Sequence, residues 1–176
     1  MVDGVTDMEW KIVKHSDLSQ RDLLRICELK NQHWPYGMES QTQWMQNNLQ
    51  DADYHLLGLK EDEDRLTAYL TVTELTVERD GKSERMLGLG CVCVDKRIEH
   101  GGYGKQLVKA ANAFIRSQQC EGILLCKDSL VGFYQKCGWN DCTYQTAEVA
   151  GGSYHNHIMM LDQTDSSVRV SINRNF

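Results

Sequence analysis

Two short stretches of this sequence carry residue types whose spacing could do chemistry. The first is Glu99-His100-Gly101-Gly102-Tyr103-Gly104, which comes after an apolar run over residues 86–94 and opens an amphipathic one. A strand, a glycine turn and a helix N-terminus in this order present backbone N–H groups to an anion, typically a phosphate. The glycines let a ligand approach the main chain with no Cβ in the way. A plain strand-to-helix connection would use the same residues, so on this stretch alone the two readings stand even. The second stretch is Phe133-Tyr134-Gln135-Lys136-Cys137-Gly138-Trp139. Read by itself, Tyr134 is either a core tyrosine beside Phe133 or a hydroxyl placed for a ligand.

Other reactive side chains lack this context. Cys91 and Cys93 alternate on an apparent strand and point the same way along it. Neither has a histidine evidently paired with it in sequence. Glu61-Asp62-Glu63-Asp64 reads as a solvated hairpin tip, because four consecutive carboxylates cannot converge on one ion and lack the ligand-and-glycine alternation of a calcium loop.

The elements that must position these residues can be read from periodicity. Residues 10–14 suggest a short first strand, and Ser16, Asp17 and Ser19 offer helix caps. Apolar positions at Leu23, Leu24, Ile26, Cys27 and Leu29 predict a helix from Gln20 that ends before Pro35. A loop rich in large side chains, Trp34 to Met38, leads to a second helix over residues 39–49. That loop either lines a pocket or packs one helix on the other. Strands are predicted over residues 54–59 and 66–77, with an Asp80-Gly81 hairpin turn. Residues 86–94 read as a central strand covered on both faces, and Gly88 and Gly90 within it suggest a bulge or a close approach. Leu107, Val108, Ala111, Phe114 and Ile115 form one helical stripe. The next strand, over residues 122–126, implies a right-handed crossover between parallel neighbours. A short helix from Asp128 to Lys136 ends at Gly138. Further strands are expected over residues 141–149 and 154–161, and residues 163–176 as a loosely held polar tail.

Length predicts one domain over residues 1–162. The net charge of −6 argues against general nucleic-acid binding and mildly favours a cationic partner, though acidic charge serves solubility in any case. No apolar run approaches membrane-spanning length, and residues 1–7 do not resemble a secretory signal. The seven cysteines are scattered and include no C-x-x-C pair. They read as free thiols of a reducing compartment, and the cytoplasm is the expected location. No metal site is expected.

Taken together, the two motifs resemble the GNAT superfamily of acetyl-CoA-dependent N-acetyltransferases. The acyl-CoA motif of that family is matched by Val94 through Glu99-His100-Gly101-Gly102-Tyr103-Gly104, with Leu107 at the usual helix leucine. The later Phe/Leu-Tyr-x-x-x-Gly-Phe/Trp motif is matched by Phe133 to Trp139. The resemblance spans residues 10–162, with both motifs in order and a strand between them. Within the superfamily, residues 124–134 look similar to the aminoglycoside 2′-N-acetyltransferase branch. One position departs: Glu99 stands where Arg or Gln often opens the glycine motif. A carboxylate facing a pyrophosphate would repel it, so Glu99 is expected to point away, with Lys96, Arg97, His100 or Lys105 supplying positive charge.

The resemblance implies an α/β fold with a central mixed, mostly antiparallel sheet of six or seven strands and about four helices. The sheet splays between the strand ending at Val94 and the strand Gly122 to Cys126. It implies acetyl-CoA as acetyl donor, held by Val92, Cys93 and Val94 along the strand and by His100, Gly101, Gly102, Tyr103, Gly104 and Lys105 at the turn. Tyr134 takes the family's position for a donor to the CoA sulfur, a role that suits a phenol protonated at neutral pH. Trp34, Tyr36 and Glu39 are the candidates for the acceptor side. The acceptor is expected to be a primary amine of a small, cationic molecule attacking directly in a ternary complex. A non-catalytic acyl-CoA sensor and a protein N-acetyltransferase are the alternatives, and a homodimer is an open arrangement. The general base is not legible: Glu39, Glu74, His33 and His55 are candidates that each read first as structural, and an acyl-enzyme on Cys91 or Cys93 is disfavoured.

Overall fold

The computed structural model describes residues 8–60 and 64–176. Glu61, Asp62 and Glu63 of the acidic turn, and the N-terminal residues 1–7, lie outside them. The chain forms two compact units. The first comprises the described residues up to Thr71 together with Cys91–Leu107, the second Val72–Gly90 and Val108–Phe176. Three elements contribute a part to each: strand β3 (Leu66–Arg79), strand β4 (Lys82–Val94) and helix α3 (Tyr103–Ser117).

The first unit holds β1 (Met8–Lys14), α1 (Gln20–His33), α2 (Met38–Asn48) and β2 (Tyr54–Lys60). β1 pairs antiparallel with β2 from Met8↔Lys60 to Lys14↔Tyr54. Helix α1 starts where the Ser19 hydroxyl accepts the Asp22 N–H (3.1 Å), as capping requires, and ends at Trp34 before the proline. Its inner face differs from the expected stripe: Leu24 is exposed, whereas Asp22 and Lys30 are buried beside Ile26, Cys27 and Leu29. Asp22 tolerates burial because it pairs with Lys11 (3.0 Å) and Arg25 (3.2 Å). Ile26, Cys27, Leu29, Met45, Leu49, Leu57, Leu66, Tyr69 and Cys93 close the core of this unit.

The second unit adds β5 (Glu121–Cys126), α4 (Val131–Lys136), β6 (Trp139–Cys142), β7 (Thr146–Val149), β8 (Gly152–Ser153), β9 (His157–Leu161) and β10 (Arg169–Ile172). Its strands lie in the order β6-β9-β5-β4-β3-β10-β7-β8. β4 and β5 are parallel, as the strand–helix–strand pattern requires, and their register ends at Leu89↔Leu124, two residues short of the end of β5. β9 is antiparallel to both β5 and β6. The mixed α/β architecture with four α-helices is the expected one, more finely divided. The segment at residues 141–149 breaks into β6 and β7, which pair with different partners.

Gly88 is a close-approach position: a Cβ there would lie 2.6 Å from Leu75 Cδ1 and from the ring of Phe176. That ring belongs to the C-terminal segment, and the expectation of a loose tail is corrected. β10 pairs antiparallel with β3 and parallel with β7, and Val170 and Ile172 are buried. The Asp80 carboxylate accepts the Arg169 N–H (2.8 Å), and Arg79 pairs with Glu84, Glu121 and Asp165. No helix among the described residues is long and apolar enough to cross a membrane.

Candidate functional site

In the first unit the end of β4 is strained and pinned. Cys91, directly after Gly90, has a left-handed φ of +52° in mid-strand. A non-glycine residue in this region persists only where its surroundings hold it, and such residues cluster at ligand sites. The C-terminal turn of α1 anchors the strand's exit. His33 donates from Nε2 to the Val94 carbonyl (2.6 Å), and Gln32 Oε1 accepts the Lys96 N–H (3.0 Å). Asp95, buried between these two anchored residues, accepts from the Arg97 N–H (2.9 Å) and from its guanidinium Nη2 (2.7 Å). The Arg97 side chain is the largest cause holding the Asp95 carboxyl below its ordinary range.

The turn then reverses through His100 (φ +67°) and Gly102 (φ +83°). The first bond of α3 runs from the Gln106 N–H to the Gly102 carbonyl (3.2 Å). The N–H groups of Tyr103, Gly104 and Lys105 therefore have no acceptor inside the helix. Among the described residues no atom lies within 4 Å of the place a Gly102 Cβ would occupy, so they leave the backbone open to approach there. Lys60 Nζ stands 4.7 Å from the centre of the Tyr103 ring and brings a cation to the same helix end. N–H groups with no acceptor inside the helix, a helix dipole and an ammonium are the parts from which an anion site can be built. These residues fit a pyrophosphate-bearing donor, and Glu99 is exposed.

The remaining expected residues of this unit fall differently. Val92 and Val94 are half-buried, while Cys93 faces the core. Burial pushes the Cys91 and Cys93 thiols up, which removes the thiolate an acyl-enzyme would need. Trp34 is half-buried against the α1–α2 core, Tyr36 is 73% exposed, and Glu39 is exposed in the first turn of α2. Among the base candidates, His33 is committed through Nε2. His55 is sealed, with Nδ1 2.7 Å from the Tyr69 hydroxyl and Nε2 2.9 Å from His15. Burial lowers its pKa to about 4. Glu74 pairs with Arg85 (3.1 Å). Gln32, Lys60 and Asp95 are not legible as site residues from sequence, because each acts through a partner distant in the chain or through side-chain geometry.

In the second unit Tyr134 lies on α4, 6% exposed and edge-on to Phe133 at 5.0 Å. Among the described residues its hydroxyl has no hydrogen-bond partner. It is nonetheless not a sealed atom, since Thr71 Oγ1 is the one buried unpartnered side-chain oxygen or nitrogen found there. Burial, then the Cys126 and Cys137 thiols, push the phenol's pKa up and keep its proton in place. Asn112 on α3 buttresses the motif that carries Tyr134. It donates to the Cys137 carbonyl (2.8 Å) and accepts from Trp139 Nε1 (2.9 Å).

A family model described as the acetyltransferase (GNAT) family matches residues 21–139. Among solved structures, Escherichia coli ElaA is similar with a TM-score of 0.63 at 22% identity, over 88% of this chain and 98% of that one. An acyl-CoA N-acyltransferase from Pseudomonas aeruginosa gives 0.62 at 16% identity, over 88% and 99%. Glucosamine-6-phosphate N-acetyltransferase from Arabidopsis thaliana gives 0.53 at 22%, over 74% and 90%. At these identities the likeness is one of fold. No curated protein matches the sequence.

Proposed function

The chain belongs to the GNAT acetyltransferase family, and from that premise we propose that it moves an acetyl group from acetyl-CoA to the primary amine of a small cationic molecule. Acyl transfer from an acyl-CoA to an amine is the family's reaction. The acetyl donor, the cationic acceptor and the residue roles are our reading. The observation that carries it is the turn at Gly102. Among the described residues its backbone is open, and it leads into a helix whose first three N–H groups have no intrahelical acceptor.

His100, Gly101, Gly102, Tyr103, Gly104 and Lys105 bind the pyrophosphate, with Lys60 adding charge. Val92, Cys93 and Val94 offer the strand main chain to the pantetheine. The amine nitrogen attacks the thioester carbon in a ternary complex, and the Tyr134 hydroxyl donates a hydrogen bond to the departing sulfur. Its raised pKa suits a donor that keeps its proton rather than one that titrates. Trp34, Tyr36 and Glu39 serve the acceptor's side. The chain's net charge of −6 supports a cationic acceptor.

The test measures thiol release from acetyl-CoA with a panel of amines, for wild type and Tyr134→Phe. Amine-dependent release, slowed about tenfold or more in the variant, is expected. Tight acetyl-CoA binding with no amine or peptide stimulating release would replace this reading by that of a sensor.

A further inference from the structure

Acetyl transfer to an ammonium leaves one requirement that no residue assigned so far meets: the nitrogen must lose a proton before it can attack. The second unit holds a cavity of about 440 Å³ at the ends of β6 and β9, whose lining includes Asp141, Tyr144, Tyr154 and His157. His157 is the cross-strand partner of Cys126, the last residue of β5. Its Nδ1 is 2.9 Å from Asp141 Oδ2 and its Nε2 is 3.0 Å from Asp128 Oδ1. The two carboxylates differ. The Asp141 side chain is 31% exposed, against 96% for Asp128, which stands in the turn ahead of α4, the helix of Tyr134. A carboxylate fixed on one nitrogen sets the tautomer and leaves the other nitrogen to exchange a proton.

Resting on the acetyl-transfer reading, we propose that His157, oriented by Asp141, is the general base that takes the proton from the acceptor ammonium, with Asp128 as the exposed carboxylate that receives that ammonium. The ammonium gives one proton to Nε2, and its nitrogen lone pair then forms the C–N bond to the acetyl carbon. The C–S bond breaks, and the second nitrogen-bound proton is transferred onward so that the sulfur leaves as a thiol. His157 returns its proton to water through its partly exposed ring. One ammonium and one thioester enter; one amide, one thiol and one proton leave.

The groups that face the imidazole from the neighbouring elements are Asp141 on β6, Asp128 ahead of α4, and Cys126 on β5, with Tyr154 donating to the His157 carbonyl (3.3 Å). Burial, then Asp141 and Asp128, push the Cys126 thiol up to about 11, and burial takes the Tyr154 phenol to about 12. Neither titrates near neutrality. The hydrogen bond to Asp141, then that to Asp128, raise the His157 pKa. The rate should therefore climb with pH through a value above that of an ordinary imidazole.

The experiment measures kcat/KM for acetyl transfer to ethanolamine, glucosamine and spermidine from mildly acidic to mildly alkaline pH. Acetyl-CoA affinity and Tm are read alongside. His157→Ala is expected to lose about 100-fold at neutral pH with acetyl-CoA affinity retained, and added imidazole should restore part of the rate. Asp128→Asn is expected to move the ascending limb to lower pH. A His157→Ala enzyme with the wild-type rate and profile overturns the proposal. So does a His157→Ala enzyme that binds acetyl-CoA but is not rescued by imidazole, together with an ascending limb that stays in place in Asp128→Asn. If the wild type transfers to no amine, the acetyl-transfer reading itself fails and the proposal falls with it.

Discussion

Tyr134 and Trp34 are both large aromatics on or beside short helices, and their surroundings set different tests. The Tyr134 hydroxyl is the polar end of a nearly buried ring with no described partner, which is what a ligand-facing donor requires. Trp34 is fixed from two sides, its carbonyl accepting Gln41 Nε2 (2.6 Å) and its ring packing on the α1–α2 core. Trp34→Ala is expected to raise the amine KM several-fold and to cost about 2 kcal/mol of stability, since half of a large side chain leaves a packed site. Amine kinetics and denaturant titration check it, and lowered stability with an unchanged KM would assign Trp34 to packing alone. The candidate-site residues that stand in contiguous motifs are legible in sequence, because Gly101, Gly102, Gly104 and Tyr134 are singled out by their near neighbours. Asp95 is not, although its partner Arg97 is two residues away, because the burial that makes that bond matter is invisible in sequence. His157 is hidden because Asp141 and Asp128 lie 16 and 29 residues from it.

Among the elements, the longer ones are readable from period alone. Helix α1 can be read from its cap and its stop at Pro35, and α3 from its stripe, with Leu107, Val108, Ala111 and Ile115 fully buried. The four-residue strands are not. β10 has only Val170 and Ile172 alternating with Arg169 and Ser171, too short a pattern against polar flanks to separate from a tail. Its position next to β3 makes it structural: it covers Val77, Glu78 and Arg79 in register and adds two buried side chains to the second unit's core. Truncation after Asp162 is expected to lower Tm by roughly 10 °C or more, since burial of two such residues contributes about 3–6 kcal/mol. Thermal unfolding measures this, and an unchanged Tm would restore the loose-tail view.

For the whole molecule, the sealed His55 is one contributor to the pH dependence of stability. Its pKa is about 4 when folded and 6.5 when unfolded, so between these values the unfolded chain binds more protons. The contribution of this one group is fully present above pH 6.5 and falls as pH drops toward 4, by on the order of 3 kcal/mol. Urea titrations across that range should show the slope in the wild type and a flattened one in His55→Gln. The acetyl donor's site makes the sharper claim, and Gly102 concentrates it. An alanine at φ +83° costs about 1–2 kcal/mol of strain but meets no atom of the described residues, so the fold should survive. The same Cβ would stand in space we assign to the pyrophosphate. Calorimetric titration of acetyl-CoA into wild type and Gly102→Ala is therefore the most direct test. Binding by the wild type is expected, with affinity lowered about tenfold or more in a folded Gly102→Ala. Equal affinity in the two proteins, or no binding by the wild type, would contradict the assignment of this turn to the acetyl donor.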